Sequence, residues 1–415
     1  MKKTLMGAGL AALAATGVSA AGIERSSNDY GVLFAEGSQL SFGLSFVKPR
    51  VSGDYPAALG GGSTGNMANS YTTLSAAYKM DLGEKLSLGL YLNDGYGADA
   101  SYTQGFYTGL QARWDSNQTA IIGRYAITDR VSVYGGARAV NSSATIAIPD
   151  QMIRASTQAA ILEQTGQTTV AAADTALANF ITLRGDPTGE LAQTRALLGA
   201  TVVAPVGSFQ YDADGAGTTD YGYVAGVAYE IPDIALRVAL TYESAIEHEF
   251  DTTESLPVFG IPGSSQTKVT MPQSVTLDFQ TGVAAGTLVF GKIKWTEWSE
   301  WEVRTPGYES VTGGNVTGLD NDTISYNLGI GRQFNDRLSG FAQMSYEKAN
   351  GGIASRLAPT DGSFGLGIGG QYTLDDMKLR AGVQYVKLGD ATDGSGVEFS
   401  GNSALGFGFQ VSFSF

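Results

Sequence analysis

The chain has 415 residues, a formal net charge of −14 and no cysteine. Without cysteine it has no disulfide framework and no thiol chemistry, and its acidic balance argues against nucleic acid as a partner. After Ala20 no run of about 18 or more uncharged apolar residues occurs, which excludes a membrane-spanning helix.

The N-terminus has the pattern of a secretory signal peptide. Lys2 and Lys3 precede an apolar run, residues 5–18, and small residues follow it up to Ala21. The run is short and rich in glycine and alanine, so it is a poor membrane anchor. We therefore expect residues 1–20 to be a signal peptide that is cleaved after Ala20.

Fourteen strand-like segments follow, each alternating between large apolar and small or polar residues. They lie near residues 39–47, 70–79, 85–93, 117–127, 130–140, 221–230, 234–245, 267–281, 286–298, 322–332, 337–347, 363–372, 378–388 and 402–415. Tight turns alternate with long loops, and the longest loop is residues 141–220. An even strand count with short turns at one rim and long loops at the other is typical of a bacterial outer-membrane barrel. The predicted fold is all-β, a 14-stranded antiparallel transmembrane β-barrel over residues 39–415.

Individual strands have the two faces that a barrel wall needs. The first strand places large apolar residues at every second position: Leu40, Phe42, Leu44 and Phe46. A soluble barrel would show the same alternation with its apolar face inward, so this pattern alone leaves both alternatives open. Three features favour the outer membrane, with the apolar face toward lipid. They are the signal peptide, the separation of short turns and long loops to opposite rims, and a final strand that ends in Phe415.

The tight turns are expected on the periplasmic rim, because the chain enters from the periplasm, and the long loops then face outside the cell. In the longest loop, helix-forming residues dominate 155–164 and 169–183. One or two extracellular helices would either funnel the lumen or only shield the barrel mouth, and the sequence leaves both alternatives open.

Two strands carry a motif that resembles the FadL-type outer-membrane long-chain fatty acid transporters. Pro272 and Ser274 match the start of one strand, and Trp295, Trp298 and Ser299 match the end of the next. The strand count, the helical loop and the final strand are also similar. The resemblance implies a monomeric barrel with an N-terminal plug, which takes up hydrophobic molecules passively and releases them sideways through a kink in the third strand.

The third strand of this chain contains a candidate for that lateral gate. Beyond Leu92 it runs into residues that weaken strand pairing and favour a bulge: Asn93, Asp94, Gly95 and Gly97. The alternative is that the strand ends at Leu92 and a loop begins.

The N-terminal plug is shorter than is usual for the family, because only residues 21–38 precede the first strand, and it lacks an Asn-Pro-Ala element. Contacts with the ligand or within the plug are expected from Ile23, Tyr30, Val32, Leu33 and Phe34. The charged residues of the segment, Glu24, Arg25 and Asp29, are expected to pair with charged residues that face the lumen, such as Arg113, Arg124 or Arg138.

Nothing in the sequence indicates an enzyme, a cofactor or a metal site. The single histidine, His248, lacks the arrangement of a catalytic triad or of a usual zinc site, and we expect a solvated loop residue. Asp212 and Asp214 begin like a calcium loop, but no glutamate follows at the required offset, so a flexible loop is predicted.

The tryptophans at the end of one strand have two interpretations. Trp295, Trp298 and Trp301 are predicted to anchor the barrel at the membrane interface, and ligand stacking is the alternative.

The predicted function is passive uptake of long-chain fatty acids or related hydrocarbons. The alternative is a general diffusion porin for small hydrophilic solutes, which needs a charged constriction. This alternative is disfavoured because the chain has only 26 basic residues, spread over its whole length. A surface adhesin is a third class. Expected partners are a hydrophobic small molecule, outer-membrane lipid and lipopolysaccharide, with the barrel acting as a monomer.

Overall fold

The fold was obtained as a computed structural model, which describes residues 23–26 and 29–415. The predicted signal peptide lies outside the described residues. No helix in this part of the chain is long and apolar enough to cross a membrane.

One closed antiparallel sheet of 17 strands forms the wall. It closes because the first strand pairs with both the second and the last. In chain order the strands are β1 (Gln39–Arg50), β2 (Tyr71–Asp81), β3 (Leu86–Asn93), β4 (Gly97–Ser101), β5 (Gln111–Ala126), β6 (Val131–Ile148), β7 (Tyr211–Ile231), β8 (Leu236–Glu243), β9 (Ile246–Leu256), β10 (Ile261–Met271), β11 (Ser274–Ala284), β12 (Thr287–Thr296), β13 (Thr323–Gln333), β14 (Leu338–Glu347), β15 (Ser363–Leu374), β16 (Met377–Leu388) and β17 (Ser403–Ser414).

The 17 strands make 14 spans, because three spans each consist of two strands in line. These spans are β3 with β4, β8 with β9, and β10 with β11, and both members of each pair continue along the same neighbouring strand or strand pair. The predicted 14-stranded antiparallel barrel is therefore confirmed. The last two interrupted spans are neighbours, and their interruptions lie opposite each other at residues 244–245 and 272–273.

The large apolar side chains of the wall point outward. In β13 the outward positions are between 41% and 49% exposed: Ile324, Tyr326, Leu328 and Ile330. Small or polar residues alternate with them and face the lumen. Tyrosines mark the long-loop rim, as in the contacts of Tyr223 with Tyr242 and of Tyr326 with Tyr346. An exposed apolar band with aromatic residues at its edge is the surface that a bilayer requires.

The wall extends further on the long-loop side than the sequence predicts. β6 continues to Ile148 and β7 already begins at Tyr211, so the connection between them is shorter than predicted. The prediction of a flexible loop around Asp212 and Asp214 is wrong, because both residues lie in β7 and pair with β6. Small inward residues such as Ala213 made this stretch too weakly hydrophobic to be recognised as a strand.

The predicted helical loop is confirmed, but it contains three helices rather than one or two: α1 (Asp150–Thr165), α2 (Val170–Arg184) and α3 (Glu190–Val203). Their shared core is small and consists of Ile161, Ala173, Leu177 and Leu198. A short helix, α4 (Pro306–Thr312), lies in the β12–β13 connection together with paired segments Glu302–Val303 and Thr317–Gly318.

The helical loop is tied to the rim through one carboxylate. Asp150 accepts hydrogen bonds of 2.9 Å from the backbone N–H groups of Gly207 and Phe209. It also receives two from the Arg154 guanidinium, at 2.8 and 3.0 Å, and that guanidinium lies 4.6 Å from the centre of the Phe209 ring. The Arg154 hydrogen bonds, followed by those from the backbone, hold the pKa of Asp150 below its ordinary value.

Other loops close over the barrel mouth and meet at a second buried carboxylate. Asp393 is fully buried and accepts from the Tyr107 hydroxyl at 2.5 Å and from Arg356 Nε at 3.0 Å. Burial raises the pKa of Tyr107 to about 12, so its hydroxyl stays a donor. A small sheet of Gly53–Asp54, Ala391–Thr392 and Glu398–Phe399 completes this cover.

We predict that acid releases the helical loop before it affects the barrel. Because the pKa of Asp150 is lowered by folding, its stabilisation is fully present above the ordinary pKa of about 4 and is lost as pH falls through the folded pKa. Asp150→Asn should reproduce this loss at neutral pH and lower the opening free energy of α1 by about 1–3 kcal/mol. Hydrogen exchange of the α1 amides measures the effect.

The matched control is Asp174→Asn, which breaks the half-exposed ion pair with Arg195 within the same loop. It should change α1 exchange little, since exposed pairs contribute little. Equal effects of the two substitutions would contradict the assigned role of Asp150.

Candidate functional site

The N-terminal segment, which we define as residues 23–26 and 29–38, lies inside the barrel. Its middle forms one 3-10 turn, Tyr30–Phe34, in which Asp29 accepts a hydrogen bond of 2.9 Å from the Gly31 N–H. The chain then leaves the lumen beside Lys79, whose ammonium donates to the carbonyls of Ala35 and Gly37 at 2.9 and 2.8 Å.

The turn packs against the inner wall. Tyr30 and Leu33 are buried, and Val32 and Phe34 are partly buried at the edge of the same cluster. The wall side of that cluster consists of Tyr91, Ala120, Ile122, Tyr134, Val224, Ala228 and Ala239. Four of the five plug residues predicted from sequence are therefore in one contact surface with the wall.

Polar contacts fix both ends of the turn. The Tyr30 hydroxyl donates to Glu243 Oε1 at 2.6 Å, and Glu243 lies 3.8 Å from the buried guanidinium of Arg138. At the other end, the guanidinium carbons of Arg124 and Arg237 each lie 4.8 Å from the centre of the Phe34 ring. Such cation–π contacts contribute about 0.5–2 kcal/mol each, the larger values where water is excluded.

The third span is interrupted in the middle of the wall. β3 ends at Asn93, and β4 resumes at Gly97 on the same neighbouring strand, β5. Toward β2 the ladder stops at the pair Ser75–Asn93, and the next backbone N–H, that of Leu74, donates to the Asp94 side chain at 2.9 Å. The break is thus within a span, rather than the end of a strand at Leu92.

Pairing with the β2 side resumes further out. Ala68 and Ala100 form an isolated bridge, and the Asn69 N–H donates to the Asp99 carbonyl at 3.1 Å. Between the Leu74 contact and this bridge, the ladder between the second and third spans is interrupted. The four gate residues predicted from sequence lie at this interruption.

Residues 23–26 of the N-terminal segment pair with the broken strand from the lumen side. The Gly97 N–H donates to the Ile23 carbonyl at 2.7 Å, and the N–H groups of Arg25 and Ser26 donate to the Gly95 carbonyl at 3.0 and 3.3 Å. The Ser26 hydroxyl donates to the Asp94 carbonyl at 2.6 Å. The segment therefore satisfies backbone groups that the wall itself leaves unpaired.

The Asn93 side chain completes this contact, because its amide donates to the Ser26 hydroxyl at 3.0 Å. Gly97 allows the close approach of Arg25: a Cβ at this position would lie about 2.4–2.6 Å from the Arg25 side chain. Gly95 has open space instead, with its nearest atom 3.7 Å away in Gln118.

The charged residues of the segment form ion pairs with residues other than those predicted. Glu24 pairs with Lys294 at 2.5 Å and Arg25 with Asp115 at 3.6 Å, and the Arg25 guanidinium also lies 4.7 Å from the centre of the Tyr71 ring. The predicted pairing with Arg113, Arg124 or Arg138 is wrong.

The predicted partners do not pair with the segment for two reasons: one side chain points out of the barrel, and another is already paired within the wall. In β5 the even-numbered positions face inward, so Arg113 points out of the barrel and pairs with Asp115. Arg124 does face inward but is paired with Glu230 at 2.6 Å. Lys294 is inward by the same rule in β12, so the alternation of Lys292 and Lys294 with Ile293 and Trp295 identifies it as a lumen charge without showing which residue it pairs with.

An aromatic cluster lies beside the break on the lumen side. It consists of Tyr96, Trp114, Phe250, Trp298 and Trp301, with ring centres 5.4 Å apart for Trp114 and Phe250 and 6.2 Å apart for Trp114 and Trp301. Ile23 of the N-terminal segment belongs to the same buried cluster. The indole N–H groups of Trp114 and Trp301 are buried without a hydrogen-bond partner among the described residues.

Interfacial anchoring is therefore wrong for Trp298 and Trp301, which are each only 1% exposed. β12 ends at Thr296, and a 3-10 turn, Trp298–Glu300, directs the following chain inward, so the period of two no longer applies. Trp295 is still in the strand and donates to Asp322 at 3.1 Å.

The remaining motif residues have structural contacts. Ser299 donates to Asp322 at 2.6 Å, next to the Trp295 contact. Ser274 donates to Glu243 at 3.3 Å, and Pro272, which has no N–H to donate, lies where the eighth span is interrupted.

His248 is fully buried, so the prediction of a solvated loop residue is wrong. Its Nδ1 lies 2.8 Å from Asp220 Oδ2 and its Nε2 lies 3.1 Å from the Ser142 hydroxyl. The residue is at an inward position of β9, next to Phe250, in a stretch that the sequence did not indicate as a strand.

Most of the chain matches one protein family. The family model is described as outer membrane protein transport protein (OMPP1/FadL/TodX), and it matches residues 3–395. No curated protein is similar enough in sequence to count as a match.

Solved structures share the fold at low identity. A FadL homologue from Pseudomonas aeruginosa has a TM-score of 0.67 at 10% identity, covering 94% of this chain and 93% of that one. The toluene transporter TodX of P. putida has a TM-score of 0.62 at 16% identity, covering 94% and 93%. CymD, a monoaromatic hydrocarbon channel, has 0.55 at 18%, covering 92% and 89%.

Proposed function

The chain belongs to the OMPP1/FadL/TodX family of outer membrane transport proteins, and we propose that it carries small hydrophobic molecules passively across the outer membrane. It is a transporter and not an enzyme. The named structural relatives are a FadL homologue, a toluene transporter and a monoaromatic hydrocarbon channel. They support long-chain fatty acids or related hydrocarbons as the substrate class.

The observation that carries this proposal is the apolar cluster next to a closed break in the wall. A hydrophobic molecule that reaches the aromatic cluster lies beside the interruption of the third span, with lipid on the other side. We propose that Asn93, Asp94, Gly95 and Gly97 form a lateral gate through which the molecule enters the bilayer. Lateral release keeps an apolar solute out of water throughout, which is the favourable route for apolar surface.

The N-terminal segment is the proposed closing element. In lipid an unpaired backbone group costs several kcal/mol, so a bare break would be unfavourable. Residues 23–26 supply the missing partners, and the turn that contains Tyr30, Val32, Leu33 and Phe34 fills the lumen below. Movement of residues 23–26 away from the break would open the gate and requires no energy source other than substrate binding.

A general diffusion pore for hydrophilic solutes is less well supported. Such a pore needs an open, water-filled constriction, whereas here Tyr30 and Leu33 of the N-terminal segment are buried against the inner wall of the barrel. For the chain as a whole we propose a signal peptide over residues 1–20, a plug over 21–38 and a barrel over 39–415. Since the wall closes on itself, we propose a monomer that contacts lipid and, at its loops, lipopolysaccharide.

We predict hydrophobic uptake without leakage of sugars. A Gram-negative strain that lacks its own fatty acid transporter should take up labelled oleate at least about fivefold faster with this chain than with an empty vector, because an apolar tail crosses the polar lipopolysaccharide layer poorly on its own. Small-sugar permeation in the same cells is the control. Sugar leakage without hydrophobic uptake would establish a porin instead.

We also predict that a covalent tie between the N-terminal segment and the gate stops uptake. The chain has no cysteine, and Ser26 and Asn93 are in side-chain contact, so Ser26→Cys with Asn93→Cys should form a reversible lock. Oxidation should reduce uptake about tenfold or more, and reduction should restore it.

The control pair for the lock is Ser41→Cys with Ser412→Cys, whose hydroxyls lie 2.9 Å apart on two neighbouring strands of the wall. It joins the barrel without touching the segment and should leave uptake unchanged in both redox states. Undiminished uptake by the oxidised Ser26–Asn93 variant would exclude the segment as the closing element.

A further inference from the structure

The ion pair between Glu24 and Lys294 joins the N-terminal segment to a cation of the wall that faces the lumen. The carboxylate and ammonium are 2.5 Å apart, and the side chains are 15% and 9% exposed. Among the described residues, Glu24 is the only carboxylate within ion-pair distance of Lys294. When the segment moves, a largely desolvated ammonium loses its ion-pair partner.

The neighbouring carboxylates, Glu243 and Asp278, are already paired with other cations and cannot replace Glu24. Arg138 lies 3.8 Å from Glu243, and Lys292 lies 3.6 Å from Asp278. Glu243 also accepts from the Tyr30 hydroxyl and is held there. Because a buried charge without a partner is strongly unfavourable, displacement of Glu24 is expected only if another anion reaches Lys294.

The residue before Glu24 occupies the adjoining apolar site. Ile23 is 2% exposed within the buried cluster that contains Trp298 and Trp301. The backbone of Glu24 forms a bridge with Tyr96, whose ring contacts Trp298 edge-on with the ring centres 6.3 Å apart. The segment thus places an aliphatic group in the aromatic cluster and a carboxylate on the neighbouring ammonium.

An aliphatic group joined to a carboxylate has the chemistry of an anionic amphiphile. We propose that Lys294 is a binding site for the anionic head group of the transported molecule, and that Glu24 occupies this site in the closed barrel. The inference rests on the proposed function and adds to it the substrate's charge and its point of attachment. The amphiphile's head group replaces Glu24 on Lys294, and its tail replaces Ile23 in the aromatic cluster.

This arrangement makes binding and opening one exchange reaction. Glu24 and Ile23 leave together with the backbone contact between Ile23 and Gly97, so the break loses its cover when the head group arrives. A neutral hydrocarbon of the same length fills the apolar site but leaves Lys294 unpaired. The site therefore discriminates by charge, and discrimination by an unpaired polar group is larger than discrimination by size alone.

The test compares oleate with oleyl alcohol, which has the same tail and no charge. Binding to the purified full barrel in a non-ionic detergent is followed by tryptophan fluorescence, since three of the four tryptophans belong to the aromatic cluster. Lys294→Gln should weaken oleate binding about tenfold or more and change oleyl alcohol binding less than about twofold. Glu24→Gln should strengthen oleate binding about tenfold, because the internal competitor is lost.

Lys268→Gln is the matched control. Lys268 forms an exposed pair with Glu247 at 2.8 Å on the outside of β10, so this substitution removes the same charge far from the lumen and should affect neither ligand. A second test remains informative even if the Lys294→Gln variant misfolds. Glu24→Lys combined with Lys294→Glu keeps an ion pair in the closed state and should transfer the preference from oleate to oleylamine.

Each other outcome overturns a defined part of the account. Equal loss of oleate and oleyl alcohol in Lys294→Gln, with no change of preference in the reversed pair, would show that Lys294 is only structural. Unchanged oleate binding in Lys294→Gln would overturn the head-group site while leaving hydrophobic transport intact. If the unsubstituted barrel binds neither ligand and mediates no hydrophobic uptake in cells, the proposed function itself fails.

Discussion

The structure depends on one constraint, which is that every backbone N–H and C=O group inside the bilayer must have a partner within the protein. A closed sheet meets this requirement around the whole wall except where the chain departs from strand geometry. The clearest departure is at residues 94–96, where the third span loses its ladder toward the second. There the partners come from residues 23–26, which belong to no wall strand. The plug and the wall are therefore one hydrogen-bonded unit in the closed state.

The same segment also forms ion pairs with side chains of the wall. Arg25 lies between Asp115 and the Tyr71 ring, and Glu24 neutralises Lys294. We propose that this short N-terminal segment closes a wide barrel in this way, because it binds through specific polar contacts at one place rather than by filling the whole volume. Closure by polar pairing has a chemical consequence. A molecule that offers an equivalent polar group can substitute for the segment, whereas a molecule without such a group cannot.

The fold was largely accessible from the sequence, and the site was accessible only in part. Alternation with a period of two located all fourteen spans, because lipid on one side and small lumen residues on the other impose it strictly. It failed where the chain leaves the strand, as at Trp298 and Trp301 after Thr296, and where small residues weaken the signal, as at Ala213. The location of the break at Asn93 to Gly97 was recognisable from residues that pair poorly in strands. The partners of Glu24 and Arg25 were not, because they depend on how deep the segment enters the barrel, which no local pattern encodes.

The most direct measurement is an experimental structure of the barrel in lipid with a bound hydrophobic ligand. We expect ligand density in the aromatic cluster and at the break, with residues 23–26 displaced from Gly95 and Gly97 and the turn at Tyr30–Phe34 still in the lumen. A ligand bound beyond that turn, toward the short-turn rim, while residues 23–26 remain paired with the third span would exclude lateral release at the break.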